Sequence, residues 1–307
     1  MTQTNQLMHT NYGSSSLRKP LAVPVALAPM RIDILLAARD MGSDVSSKCK
    51  FPGSVTPLRQ GVESCEDCSL FSLCFTHRLS DDELEAFKSA TKQDQGIARN
   101  EHLFYAGDRM KSVRVVRSGS IKSYQISPDG EEVVSGFFLP GEVIGLDAIS
   151  SETHPSFAVA MEDSKTCDIP MSDFLAMLKD SPKLNEVMIK LLSEEMAEAR
   201  ELLLVVGRLD AKTRVALFLL SLSRRLARRR QDPNQFKLTM DRRDIANYLG
   251  ITIETVSRTL SALQRNAIIE VHGKNIRITD RRALEKIAMP GQLESIQRED
   301  ASSQSAG

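Results

Sequence analysis

Apolar residues recur at steps of three and four from Ser181 onward: Leu184, Met188, Leu192, Met196, Ala199, Leu203 and Val206. That period predicts one long helix, with Glu194, Glu195, Glu198 and Arg200 on its other faces. The stripe fits packing against the helix's own domain or a coiled-coil seam with a second copy, and a long helix between two domains favours the seam. Upstream, between about Ile97 and Pro170, the period shortens. VRVVRSG, SIKSYQIS and GFFLPGEVIG are short runs rich in β-branched and aromatic residues, and SPDGEE between them has turn chemistry. These runs predict a small β-sandwich or jelly roll. Just before it, Ser80 and Glu83 form the signature of a capping box that opens a short helix.

Downstream of the long stripe, Asp210 starts a further helix through VALFLLSLSRRLARRR, whose arginine run reads as a DNA-backbone patch or, more often for such a run, a solvated helix end. Residues 241–265, DRRDIANYLGITIETVSRTLSALQR, read as helix, glycine turn at Gly250, helix, with small Ala246 at the crossing. Ile253, Val256, Leu260 and Leu263 form the expected buried face of the second helix. AIIEVHGKNIRITD follows as two strands around Gly273, a wing. Glu254, Ser257 and Arg258 share one exposed helical face by their spacing. Their chemistry suits base edges in a major groove: Arg for guanine, Glu for the cytosine amino group, Ser for several edges. The plainer alternative is a surface ion pair between Glu254 and Arg258.

The fold class expected is α+β: an N-terminal jelly-roll β-domain, a long dimerisation helix and a C-terminal winged helix-turn-helix. The expected boundaries are a disordered extension at 1–48, a cysteine segment at 49–79 and the β-roll at 80–180. The dimerisation helix follows at 181–208, the winged domain at 209–286 and a flexible tail at 287–307.

Composition adds little except in one place. Of 307 residues, Lys+Arg and Asp+Glu number 40 each, so neutrality hides an arginine-rich C-terminal third. The apolar run at residues 21–38 holds Pro24, Pro29, Arg31 and Asp33, which argues against a membrane span and for a cytoplasmic protein. There is no nucleophile motif or glycine-rich phosphate loop around His154 and Asp147, so an enzyme is not expected.

The informative place is CEDCSLFSLC at residues 65–74, which carries three of the five cysteines, Cys65, Cys68 and Cys74. In a reducing compartment such clusters bind metal or do redox chemistry. Spacing alone leaves three readings open. His77 would complete a Cys3His zinc site, a distant cysteine would complete an iron–sulfur ligand set, and Cys65 with Cys68 would form a redox dithiol.

LFYAGD, VRSGSIKSY, GEVIGLDAI, HPSFA and LTMDRRDIANYLGITIETVSR, in this order, resemble the FNR branch of the CRP–FNR family of bacterial regulators, over roughly Cys65 to Ala288. The resemblance implies a homodimer that binds double-stranded DNA at an inverted repeat of TTGAT type and works with RNA polymerase. It also implies oxygen sensing by a [4Fe–4S] cluster on Cys65, Cys68, Cys74 and, in SKTCDIP, Cys167. The branch usually has no His at position 77, which weighs against zinc. Cys49 has no counterpart there and is read as a free thiol. Cyclic-nucleotide sensing is not expected, because Pro155-Ser156-Phe157-Ala158 stands where such members carry the phosphate-binding Arg. A constitutive DNA-binding protein with a vestigial sensor is the other regulator reading.

Overall fold

The computed structural model describes Cys65 and residues 68–289. The expected N-terminal extension, Cys49 and most of the expected tail lie outside the described residues.

Helix α1 (Asp81–Ala90) begins with the capping box expected from Ser80 and Glu83. Eight antiparallel strands follow: β1 (Lys92–Ile97), β2 (His102–Phe104), β3 (Ser112–Ser118), β4 (Ile121–Ile126), β5 (Glu132–Phe138), β6 (Val143–Ile144), β7 (Phe157–Ala160) and β8 (Ser164–Pro170). They form two sheets, ordered β1-β8-β3-β6 and β2-β7-β4-β5. Alternating side chains from both close a core of Phe104, Val116, Ile121, Ile144 and Ala158. Gly145, in the left-handed region, ends β6, and a side chain there would collide with the His154 ring.

The β-roll is closed at one end by helices. α2 (Met171–Asp180) leads into α3 (Pro182–Arg208), a 27-residue helix about 40 Å long. Ser181 caps α3 and also donates its hydroxyl hydrogen to Glu83, so the starts of α1 and α3 are tied together. Phe87, Phe174, Leu184, Val187 and Met188 are all buried in this second core.

The winged domain comprises α4 (Ala211–Arg228), β9 (Gln235–Lys237), α5 (Arg242–Leu249), α6 (Ile253–Arg265), β10 (Ile269–His272), β11 (Asn275–Ile278) and α7 (Arg281–Ala288). Asp210, Asp241 and Thr252 cap α4, α5 and α6 with side-chain hydrogen bonds. Gly250 takes the left-handed C-cap that turns α5 into α6. Val256, Leu260 and Leu263 are buried as the sequence predicts. Ile253 is 39% exposed, a departure explained by its place in the first turn of α6, ahead of the packed face. The wing has a third strand, β9, whose single buried side chain, Phe236, gave no readable pattern.

One core runs through both domains. Tyr124, Val134, Phe137 and Leu139 of the β-roll share a cluster with Phe218, Leu219, Leu222 and Ala246 of the winged domain.

Candidate functional site

The cysteine segment coils through successive turns. Cys68 N donates to Cys65 O (3.1 Å), Phe71 N to Cys68 O (2.9 Å) and Cys74 N to Leu70 O (2.9 Å). A 3-10 turn, Phe75–Arg78, then anchors the coil by burying Phe75 edge-on against Phe87, ring centroids 5.3 Å apart. The fourth cysteine sits across from it on β8, where Cys167 pairs with Val115 of β3.

The four thiols are partly buried and act on one another. Burial, then the neighbouring Cys74 and Cys68, pushes the Cys65 thiol up to about 11. Burial pushes Cys167 up to about 12, against the pull of Arg117, with Cys74, Cys68 and Cys65 adding to the rise. Cys74 is raised by burial, while the hydroxyl and N–H of Thr76 and the N–H of Phe75 hydrogen-bond to its sulfur. Such buried thiols stay protonated at neutral pH. A metal centre would deprotonate them, because thiolate is the ligand form. Buried Arg117 supplies positive charge beside two of them.

An all-sulfur donor set suits iron–sulfur chemistry or zinc. Among the described residues, no group of three or more Cys, His, Asp or Glu side chains is arranged to hold a single metal ion. His77 is exposed and its ring meets Phe71 edge-on at 5.2 Å.

The candidate reader lies on α6 of the winged domain. Glu254, Ser257 and Arg258 are all exposed on α6. Arg258 donates to Thr255 Oγ1 (3.2 Å). The Glu254 carboxyl is held below the usual range by its own backbone N–H, then Thr252, with a smaller contribution from Arg258. Arg242, which sequence reasoning passed over, donates to Gly273 O of the wing (3.3 Å) and keeps a second guanidinium nitrogen buried without a partner.

The stripe on α3 divides. Leu192 (41%), Met196 (55%) and Leu203 (74%) are exposed, together with Ala199. Met188 departs from the seam reading: it is 5% exposed and packs in its own protomer's core. The first turns of α3 cross α2 and the β-roll, so their apolar face is already covered. Val206 is half-buried and packs toward Gly250.

The arginine run at the end of α4 departs from expectation in part: Arg228 and Arg230 are exposed, but two others are not. Arg225 and Arg229 turn inward onto Glu142, with Arg225 Nε 3.0 Å from Oε1 and Arg229 Nη2 2.6 Å from the same oxygen. Burial raises the Glu142 carboxyl, but the Arg225 charge and hydrogen bond, aided by Arg229, outweigh it and hold the group below the usual carboxylate range. Nearby, Lys122 Nζ bridges Asp244 (2.9 Å) and Glu132 (3.2 Å), and Asn247 Oδ1 accepts from Val134 N (2.6 Å). His154, considered above as a candidate reactive group, is a core residue stacked on Phe104 at 3.6 Å. Asp147 accepts from Ser156 (3.0 Å).

Comparison with known proteins follows the same division of the chain. Residues 95–181 match the cyclic nucleotide-binding domain family and residues 213–287 the Crp-like helix-turn-helix domain family. The chain is 41% identical over 224 residues to the "Fumarate and nitrate reduction regulatory protein" of Escherichia coli strain K12, covering 73% of this chain and 90% of that one. The chain belongs to the CRP–FNR family of transcription regulators. It is 41% identical over 220 residues to the "Anaerobic regulatory protein" of Pasteurella multocida, covering 72% of this chain and 81% of that one. Among solved structures it is similar to FixK2 from Bradyrhizobium japonicum, with a TM-score of 0.59 and 30% identity over 63% of this chain and 96% of that one. As a CRP–FNR regulator it is not an enzyme, and the family's helix-turn-helix implies DNA binding and dimerisation. No helix among the described residues is long and apolar enough to cross a membrane.

Proposed function

We propose that this CRP–FNR regulator is an oxygen-responsive, cytoplasmic transcription factor whose [4Fe–4S] cluster is held by Cys65, Cys68, Cys74 and Cys167. The observation that carries the proposal is that Cys167, far off in sequence, packs against the same buried cluster as Cys65 and Cys74 of the coiled segment. His77, the fourth ligand a zinc site would need, is exposed and turned against Phe71, which favours the cluster over zinc. The printed names of the relatives, which concern anaerobic regulation and fumarate and nitrate reduction, support the same signal.

Bound there, the cluster would supply an oxygen-labile cross-link among the four thiolates. The chain's residues do the rest. With its thiolates held, the segment from Cys65 to Arg78 is pinned to β8 through Cys167, and Phe75 stays seated in the core under α3. That seating sets the first turns of α3 through Leu184 and Val187. It leaves Leu192, Met196, Ala199 and Leu203 to pair with a second copy. Two readers held together gain avidity on an inverted repeat of TTGAT type, read by Glu254, Ser257 and Arg258. RNA polymerase is the expected partner once DNA is bound. The unmatched Pro155-Ser156-Phe157-Ala158 run and the commitment of Glu142 to Arg225 and Arg229 both argue against a cyclic nucleotide.

Protein purified without air should be brown, dimeric and DNA-binding by absorbance, iron assay, sedimentation and gel shift. Exposure to oxygen should bleach it, dissociate it and weaken DNA binding. Unchanged dimer and DNA affinity after complete iron loss would overturn the switch. Iron retention separates the ligand sets: Cys167→Ala should lose the chromophore and His77→Ala should keep it.

A further inference from the structure

We infer that the turn from Leu139 to Glu142 connects the cysteine segment to the DNA-binding domain within one protomer, with Glu142 as its positioning residue. This rests on the reading of the four cysteines as one ligand set. It adds a route that does not pass through the dimer seam.

The turn has two working faces. On one, Leu73, the residue before Cys74, lies against the backbone of Gly141. A Cβ built on Gly141 would stand 3.1 Å from the Leu73 Cβ, and Gly141 has φ +90°, so this close approach uses both the missing side chain and the left-handed backbone. On the other face, the Glu142 carboxylate receives Arg225 and Arg229 of α4. Backbone carbonyls of the turn and of β5 before it join in: Arg229 Nε donates to Pro140 O (2.7 Å) and Arg225 to Phe137 O. Leu139 N donates to Glu142 Oε2 (3.0 Å), which fixes the carboxylate within the turn.

The turn is also tied to the strand beside the fourth cysteine. Gly141 N donates to Val116 O (2.8 Å) and Val116 N to Glu142 O (2.9 Å), next to Val115, the partner of Cys167. Beyond α4, the connection reaches the reader. Arg214 at the start of α4 donates to Leu249 O (2.8 Å) and Gly250 O (3.2 Å), the carbonyls of the turn before α6. α4 also shares its core with Ile245, Leu249 and Val256. A segment that holds Leu73 against Gly141 therefore holds the loop that grips α4. Release of the segment removes one wall of that loop.

Amide hydrogen exchange on the full chain tests this, with the cluster loaded and after its removal. It is run on the unmodified protein and on a Met196→Glu, Leu203→Glu variant whose exposed seam can no longer pair. In both, exchange in residues 137–142 and 225–230 should speed up roughly tenfold or more when iron is lost, while residues 269–278 of the wing stay unchanged. Glu142→Gln should keep its iron and visible absorbance yet exchange equally fast at 225–230 in both states; the iron dependence of that exchange in the parent is the readout that a purely structural role does not produce. The inference fails if residues 68–79 loosen on iron loss in the unpaired variant while 225–230 do not. It also fails if Glu142→Gln retains the iron-dependent difference. A preparation that takes up no iron and shows no cluster absorbance overturns the cluster reading itself, and this inference with it. A loaded protein with an unresponsive joint overturns the inference alone.

Discussion

Two arginines of the same domain, one at the end of α4 and one midway along α6, have opposite fates. Arg229 on α4 is 6% exposed at its side chain and grips Glu142, whereas Arg258 on α6 stands in solvent beside Thr255. The same guanidinium is locked in an ion pair where a carboxylate from the other domain has been carried to it, and is left exposed where only its own helix faces it. A fixed fork of donors serves both tasks, because it matches a carboxylate or a guanine edge equally well. The difference lies in what the tertiary fold sets opposite each helix.

The largest expected effect comes from emptying the joint. Glu142→Ala leaves two guanidinium groups facing a loop of carbonyls and should cost about 2–4 kcal/mol of stability, discounted for partial solvent access. A denaturant melt checks it. Arg258→Ala should do the reverse: stability within about 0.5 kcal/mol of the parent, and a loss of about 1–3 kcal/mol in discrimination at its base pair. Competition gel shifts with single-base variants of the half-site measure that loss. If Arg258→Ala destabilises the fold, or Glu142→Ala leaves it untouched, the contrast is broken.

Acid sharpens the comparison further. The folded Glu142 carboxyl titrates below its ordinary 4.5, so its contribution is fully present above that value. It is lost as pH falls through the depressed folded value. Thermal melts between about pH 5 and pH 3 should fall more steeply for the parent than for Glu142→Gln. Arg258→Ala should follow the parent curve. The smallest effect belongs to Lys122, which bridges Asp244 and Glu132 at the edge of the same interface. Lys122→Met should cost about 1–2 kcal/mol by chemical denaturation, since the methionine stem replaces the packing but Asp244 is left mostly buried without its cation.

Much of the reader was legible from local pattern. Caps at Asp241 and Thr252, a left-handed glycine at Gly250 and the apolar set Val256, Leu260 and Leu263 all act within a few residues. The cysteine site was half legible. Three thiols within ten residues announce a site, but spacing alone left His77 as a rival to Cys167, and only the family resemblance favoured the distant cysteine. The Met188 assignment failed because a heptad-like stripe does not state which neighbour covers it, and its own core covers Met188 first. Arg225 and Arg229 were misread for a similar reason, since Glu142 lies 83 residues from Arg225.

The amino-acid sequence by itself determined the helices, the turns, the order of β-roll, long helix and winged domain, and the clustering of three cysteines within ten residues. Those are local matters, governed by periodicity, capping and backbone freedom over a few residues. Tertiary structure alone decided that Cys167 faces the coiled segment, that Met188 is spent inside the protomer and that Arg225 and Arg229 close on Glu142. Each of those depends on folding chain segments far apart in sequence against one another, where burial and charge act through space and leave no period in the sequence to read.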